Sequence, residues 1–203
     1  MKNVLRSLTG LACVLACIAL LSACAHEPTS LATPVRGAHL DVKQYDKEWF
    51  QAAREGRWDI LNALLQAGFP IDAVTPQGYS ALILAAYDDQ PDTLRDLMAA
   101  GADACVGDRN GNTALMGAIY KGELDIARTL MGAQCNIDQT NNAGETAVAF
   151  AALFGRFQLL PELVKNGADP NHIDARGNTA MQTVIAQGNR TAVEELKRIG
   201  ATQ

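Results

Sequence analysis

The feature that most constrains this chain is a period of 33 residues that runs through most of its length. Three series of glycines keep this spacing from one unit to the next. They are Gly78, Gly111, Gly144 and Gly177; Gly56, Gly122, Gly155 and Gly188, with Asp89 in the missing place; and Gly68, Gly101, Gly167 and Gly200, with Gln134 as the exception. A fixed period of this length is typical of repeat proteins, in which each unit is stabilised by its neighbours.

The residues between the glycines predict two short helices in each unit. The first glycine follows a polar turn and precedes a hydroxyl residue, such as Thr113, that can cap the start of a helix. The middle glycine ends this helix and permits a tight reversal, and a second helix with apolar residues at helical spacing runs to the third glycine. The sequence therefore predicts an all-α repeat solenoid.

The segment GNTALMGAIYKGELDIARTLMGAQ, residues 111–134, resembles the ankyrin repeat, usually written G-x-T-P-L-H-x-A-x-x-x-G with L-L-x-x-G-A-D after the second helix. The G-A-D ending is present at 101–103 and 167–169. Alanine replaces the usual proline in all four units, but the capping hydroxyl remains, so the first helix should still form. The resemblance implies helix-turn-helix units joined by β-hairpin-like loops and a function in protein binding.

The period also sets the expected domain boundaries. We predict a partial first repeat at 42–74 that acts as an amino-terminal cap, and repeats at 75–107, 108–140, 141–173 and 174–203. Two residues should disturb the regular pattern. Pro161 should delay or kink the second helix of the fourth unit, because it lacks an N–H. Gln134 should alter the loop in which the other units have glycine.

Residues 1–23 have the pattern of a signal peptide, with Lys2 and Arg6 before an uncharged apolar stretch at 8–21. The following Leu21-Ser22-Ala23-Cys24 resembles the lipobox of bacterial lipoproteins, in which the cysteine is acylated and becomes the first residue of the mature protein. We therefore expect lipid, such as palmitate, on Cys24. An uncleaved membrane anchor and ordinary secretion are the alternatives.

The mature chain would begin with a tether at 24–41 that has two prolines and no helical periodicity. By the same resemblance, Ala25 favours the outer membrane over the inner one, with the repeats facing the periplasm. Removal of residues 1–23 would change the formal charge from -5 to -7, because the basic groups fall to 15 and the acidic groups stay at 22. A negative charge of this size disfavours nucleic-acid partners.

Outside the signal peptide and the predicted lipid site, only Cys105 and Cys135 remain to pair. They fall in successive loops between repeats. An oxidising periplasm permits a disulfide, but spacing alone does not bring two α-carbons within bonding distance. A disulfide and two reduced thiols are both open at this level.

The sequence offers little support for an enzyme. His26 and His39 lie in the tether and His172 lies in an inter-repeat loop, so the histidines are not clustered. We find no common nucleophile, phosphate-binding or zinc motif, and we predict no catalytic site, cofactor or metal.

Binding has better support, because stacked repeats form a concave surface from turn tips and first helices. The resemblance to ankyrin repeats places recognition residues beside the turn glycine and before the middle glycine. The predicted binding residues are Tyr79, Tyr87, Asp88, Arg109, Asn110, Asn112, Tyr120, Lys121, Glu145, Leu153, Phe154 and Arg176. Tyr87, Tyr120 and Leu153 share one repeat position and should form an apolar stripe. The alternative is that they pack between repeats and only complete the core.

The sequence therefore predicts an envelope-anchored, monomeric module that binds a partner protein through its concave groove. One hypothesis is that the module inhibits its partner, either a cell-wall hydrolase or an incoming toxin. The other is that it acts as a scaffold or a stress-linked accessory protein that holds an envelope enzyme at the membrane. A fold alone does not distinguish these hypotheses, because they differ only in the partner.

Overall fold

The computed structural model describes residues 42–202, so the predicted signal peptide, Cys24 and the tether lie outside the described residues. The described part begins with a 3-10 helix at Val42–Tyr45 and continues with five pairs of α-helices. The pairs are α1 (Asp46–Arg54) and α2 (Trp58–Gln66), α3 (Ala81–Tyr87) and α4 (Pro91–Ala99), α5 (Ala114–Lys121) and α6 (Leu124–Met131), α7 (Ala147–Leu153) and α8 (Leu160–Lys165), and α9 (Ala180–Ala186) and α10 (Arg190–Arg198). The prediction of an all-α repeat solenoid is confirmed.

Hydroxyl side chains cap the first helix of each of the last four units. Ser80, Thr113, Thr146 and Thr179 accept hydrogen bonds from backbone N–H groups three residues further on, over 3.2 to 3.5 Å. The helix begins at the following alanine in every case. A side-chain cap stabilises a helix by about 1 kcal/mol, which is why the helix forms here without the proline that the ankyrin motif usually has.

Left-handed residues reverse the chain between the two helices of a pair. Gly122 ends α5 at φ 92°, and Asp89, the residue in the missing glycine place, has φ 53°. Asp89 is the one residue other than glycine with positive φ in the described part of the chain. The backbone is therefore left-handed at this position in all five units. Where glycine is absent, Asp89 adopts this conformation although it carries a side chain.

Short hairpins join each pair of helices to the next, as the resemblance to ankyrin repeats implies. Antiparallel bridges close three of these hairpins, at Val74 and Ser80, at Gly107 and Thr113, and at Ile173 and Thr179. Backbone bonds also link neighbouring hairpin tips. Arg109 N–H donates to Gln77 O over 3.1 Å, Asn142 N–H to Asn110 O over 2.8 Å, and Ala175 N–H to Ala143 O over 3.0 Å. The hairpins therefore form one continuous edge of the solenoid.

The core lies between successive helix pairs and consists largely of alanine and leucine. Six of the seven residues of α3 are buried, because this helix packs against α1 on one side and α5 on the other. The first unit, which we predicted to be partial, contains both helices of a pair. Its Trp49 is fully buried and stacks on Phe69 with ring centroids 4.8 Å apart. Within residues 42–202, no helix is long and apolar enough to cross a membrane.

Pro161 delays the second helix of the fourth unit, as predicted. The other second helices are α-helical from their first residue, whereas here a 3-10 helix at Phe157–Leu159 comes first and α8 begins at Leu160. Pro161 then stands in the first turn of α8, where its missing N–H has no partner to lose.

The loop at Gln134 is altered, also as predicted. In the other units, the residue after the loop glycine donates its N–H to a carbonyl five residues back, for example Ala102 to Leu97 O over 3.0 Å. Cys135 occupies this position in the third unit, and it makes no such bond within residues 42–202. It forms a disulfide with Cys105 instead, with α-carbons 5.4 Å apart. The open question of cysteine pairing is thus answered by the tertiary structure.

Candidate partner-binding groove

A row of aromatic rings lines the concave side of the solenoid. The centroids of Tyr79 and Tyr87 are 6.0 Å apart, and Tyr87 is 6.3 Å from Tyr120. Tyr120 then meets Phe154 edge to face at 4.8 Å, and Phe150 lies behind Phe154 at 5.5 Å. These distances fall within the range in which aromatic pairs attract one another. The rings from three repeats therefore form one connected surface, which we call the aromatic row.

The two equivalent tyrosines of this row differ in exposure because their neighbours differ. Tyr87 is half-buried, and its ring packs so closely over Gly117 of the next repeat that a Cβ there would lie 2.4 Å from it. One repeat further on, the position of Gly117 is taken by Phe150, a side chain that fills the corresponding space. Tyr120 consequently keeps 47% of its surface exposed, and Phe154 keeps 38%. These two rings are the exposed part of the row.

Leu153, the third member of the predicted stripe, is not among the residues that line the groove with Tyr87 and Tyr120. Leu153 is half-buried, packs against the core and lines a small cavity together with His172 of its own unit and Thr183 of the following unit. Phe154 takes its place in the row. Phe150, one turn earlier in α7, places its ring beside that of Phe154.

The hairpins supply the polar side of the same groove, whose volume is about 720 Å³. Asn112 Nδ2 donates to Asp108 Oδ2 over 3.3 Å, and Asn141 Nδ2 donates to Asn112 Oδ1 over 3.0 Å. Asn141 Nδ2 also donates to Glu145 Oε2 over 3.1 Å, and the other oxygen of Glu145 pairs with Arg176 over 3.6 Å. This chain of bonds crosses three repeats and holds the polar side chains in fixed positions.

Sequence reasoning did not indicate that Asp108, Asn141 and Phe150 line the groove. Asp108 and Asn141 begin the polar turns, and each accepts two backbone N–H groups of its own turn through Oδ1. Their position at the start of a turn suggested only a structural role. Phe150 was missed because it falls at a core position of the helix, and it is in fact buried.

The half-buried position of Tyr87 favours the protonated form of its hydroxyl. Burial, together with the nearby Tyr79, Asp108 and Tyr120, raises the pKa of Tyr87 to about 12. Its hydroxyl therefore remains a hydrogen-bond donor at alkaline pH values at which an ordinary tyrosine loses its proton. In the neighbouring hairpin the pKa of Asp174 is lowered, chiefly because it accepts the backbone N–H of Asn178 and further because Arg176 lies beside it.

The remaining predicted residues lie around the groove or outside it. Asn110 lines the groove, whereas Arg109 and Lys121 are exposed and do not line it. Asp88 pairs with Arg54 of the first unit over 2.8 Å and does not line the groove either. Its charge is therefore already partly matched within the solenoid.

Arg156 supports the exposed end of the row, a role that the sequence did not indicate. Its Nε donates to Ile119 O and its Nη2 donates to Tyr120 O, both over 3.1 Å. These bonds satisfy carbonyl groups at the end of α5, which a helix end would otherwise leave to water. The backbone that carries Tyr120 is therefore fixed from the following repeat.

The described residues offer no clear place for a metal. Within residues 42–202, no group of three or more histidine, cysteine or acidic side chains is arranged to hold an ion. The polar groups of the groove are mostly amides and hydroxyls. They are suited to hydrogen bonding with a partner.

Comparison with known proteins supports the repeat assignment. The family model for ankyrin repeats matches residues 49–141 as three copies. The match begins within α1, extends past α6, and includes Tyr79, Tyr87 and Tyr120. Among curated proteins, none matches the sequence significantly. Ankyrin repeats are generally protein-interaction modules and are typically not enzymes, so protein binding is the function that this part of the chain indicates.

Proposed function

We propose that the repeat domain binds a partner protein through the groove formed by the aromatic row and the hairpins. The observation that carries this proposal is the exposed, edge-to-face pair of Tyr120 and Phe154 in the middle of a concave surface. Exposed aromatic side chains in a pocket are frequent anchors of protein interfaces, since they bury a large area at little cost in side-chain entropy.

The anchors are also held in place before any partner arrives. Phe150 supports Phe154 from the side, and Arg156 holds the helix end that carries Tyr120. A surface that is already ordered loses less conformational entropy on binding. A rigid pair of rings is therefore better suited to a specific partner than two mobile ones would be.

The proposal includes attachment to the bacterial envelope by lipid on Cys24, with 24–41 as the tether and the repeats in the periplasm, on the outer membrane. The lipobox-like sequence motivates it. The disulfide between Cys105 and Cys135 supports it, because disulfides persist mainly in oxidising compartments such as the periplasm. Labelled palmitate should be incorporated by the wild type and lost in Cys24→Ala. Label retained in the variant would refute the anchor.

The partner would be an envelope enzyme or an incoming toxin whose activity the bound repeat domain blocks. A concave groove can cover a protruding part of such a protein, and a tether keeps the inhibitor near the surface where its target acts. Activity of the captured partner distinguishes this role from that of a scaffold. Inhibition on addition of the repeat domain supports the inhibitor, and unchanged activity supports the scaffold.

The groove is tested by capture from periplasm with the wild type and with Tyr120→Ala/Phe154→Ala. A matched control is Ile173→Ala/Ile185→Ala, which truncates two exposed apolar side chains that do not line the groove. We expect the control to capture the same proteins as the wild type and the aromatic variant to lose them. Equal capture by the aromatic variant would show that the interface lies elsewhere.

A further inference from the structure

Asp108 is a buried carboxylate with no ion pair among residues 42–202. Only 8% of its surface is exposed, and it lines the groove. Its Oδ1 accepts the N–H groups of Asn110 and Asn112, over 2.8 and 2.9 Å. Its Oδ2 accepts one long bond of 3.3 Å from Asn112 Nδ2. Oδ2 therefore retains capacity to accept a further donor.

The fold does not require the charge of Asp108. The same turn position in the next unit is Asn141, whose Oδ1 accepts the N–H groups of Ala143 and Glu145 in the same way. One unit later the position is Asp174, and there Arg176 neutralises the carboxylate over 3.1 Å. A neutral amide thus builds this turn equally well, so the unpaired charge at Asp108 calls for a different explanation.

The rings next to Asp108 add a second feature that attracts a cation. Tyr79, Tyr87 and Tyr120 follow one another at 6.0 and 6.3 Å and line the same groove. The faces of such rings carry negative potential, which attracts a cation placed over them. The lining of the groove contains two carboxylates, Asp108 and Glu145, and neither lysine nor arginine. Glu145 is matched by Arg176, which leaves Asp108 as the unmatched charge.

On the basis of the proposed partner-binding function, we propose that the three tyrosines and Asp108 receive an arginine side chain of the partner protein. A guanidinium is planar and can stack on a tyrosine face while its N–H groups reach Asp108 Oδ2 and neighbouring hydroxyls. It is also less strongly hydrated than an ammonium group, so it enters a half-buried site at lower cost. The described residues contain 14 basic and 20 acidic side chains, a net charge of -6 that favours approach of a basic partner.

The site is tested with the oxidised protein and the peptide Ac-Gly-Ser-Arg-Ser-Gly-amide, followed through the ring signals of Tyr87 and Tyr120 in NMR spectra. The matched peptide carries citrulline, which has nearly the same shape as arginine and no charge. We expect saturable shifts with the arginine peptide at millimolar concentration. The citrulline peptide should bind at least about tenfold more weakly, since it lacks the charge-assisted bond.

Two variants distinguish the site from general attraction to an acidic protein. Asp108→Asn keeps the turn, as Asn141 shows, and should weaken binding of the arginine peptide at least about tenfold. Asp174→Asn removes the same charge from an equivalent turn away from the rings and should leave binding unchanged. Three results would each refute the site: equal shifts with both peptides, an equal loss of affinity for the arginine peptide in both variants, or no saturable shift with that peptide.

The outcome is separable from that of the proposed function. If Tyr120→Ala/Phe154→Ala loses its partner and Asp108→Asn keeps it with unchanged affinity, the groove binds a protein but not through arginine. If the partner is captured equally by the aromatic variant, the proposed function itself fails.

Discussion

At the scale of single residues, the close packing of neighbouring hairpins can be measured at two equivalent glycines. A Cβ on Gly144, at φ 77°, would lie 2.4 Å from the backbone nitrogen of Ala175 in the next unit. Gly177 has a similar φ of 86°, but a Cβ there would meet nothing within 4 Å. A residue with a Cβ would therefore have the same backbone strain at both positions. Only at Gly144 would its Cβ also clash with the next hairpin.

We expect Gly177→Ala to lower the free energy of unfolding by about 1 kcal/mol, the cost of positive φ for a residue with a Cβ. Gly144→Ala should cost at least about 2 kcal/mol more, because backbone atoms must move apart. Urea denaturation of both variants gives the comparison. Equal losses would mean that the hairpins are not closely packed in solution.

Asp89 presents the opposite case, a side chain where the other units have glycine. Besides its φ of 53°, Asp89 lies beside Glu123, whose pKa is raised chiefly by burial and further by the charge of Asp89. We expect Asp89→Gly to raise the free energy of unfolding by about 0.5 to 1 kcal/mol, since glycine adopts this φ without strain.

Asp89→Asn separates charge from backbone strain, because asparagine keeps the side chain and removes the charge. The raised pKa means that folded Glu123 binds a proton more tightly than it does in the unfolded chain. Stability should therefore fall as pH rises from the ordinary value of 4.5 through the raised value. In Asp89→Asn this fall should be smaller, as measured by urea denaturation at a series of pH values. An identical pH dependence in both proteins would show that Asp89 does not act on Glu123.

At the scale of elements, the disulfide joins two inter-repeat loops at the place where the third unit lacks its loop glycine. Cys105 and Cys135 are 30 residues apart, so the bond closes a loop that is otherwise open in the unfolded chain. We expect Cys105→Ser/Cys135→Ser to lower the free energy of unfolding by about 3 kcal/mol. Urea denaturation with and without reductant measures the effect, and the double variant should not respond to reductant.

Gln134→Gly provides the matched test of the loop. In the double serine variant, glycine should restore the left-handed loop of the other units and recover about 1 kcal/mol. In the oxidised wild-type background the gain should be smaller, because the disulfide already holds the loop. The same gain in both backgrounds would mean that the disulfide and the loop conformation are independent.

At the scale of the whole molecule, stability should be highest in the middle of the stack. Six residues of α3 are buried between neighbouring repeats, whereas α9 in the last unit buries three. In a repeat protein each unit is stabilised mainly by its two neighbours, and a unit near the end has fewer such contacts. We therefore expect backbone amides of α3 and α5 to exchange with solvent more slowly than those of α9 and α10.

Hydrogen exchange followed by mass spectrometry measures this order. Exchange that is uniform from α1 to α10 would indicate that the domain opens only as one unit. The order matters for the groove, because the aromatic row extends from the unit of α3 to the unit of α7. Its rings would then lie on the more stable part of the domain.

The sequence determined the architecture because the signals for it are local. A hydroxyl before a helix, a glycine after it and apolar residues at helical spacing act within one unit, and the 33-residue period repeats them. For this reason the helix pairs, the caps at Thr113 and its equivalents, the delay at Pro161 and the altered loop at Gln134 could all be predicted from the sequence.

The tertiary structure decided what depends on the next repeat. Whether Tyr120 is exposed follows from Phe150, 30 residues later, and the place of Phe154 in the aromatic row follows from the same ring. The pairing of Cys105 with Cys135 and the unmatched charge of Asp108 likewise depend on which loops and side chains meet across units. A repeat pattern aligns equivalent positions, but the side chain opposite each one decides whether it is packed, paired or exposed to a partner.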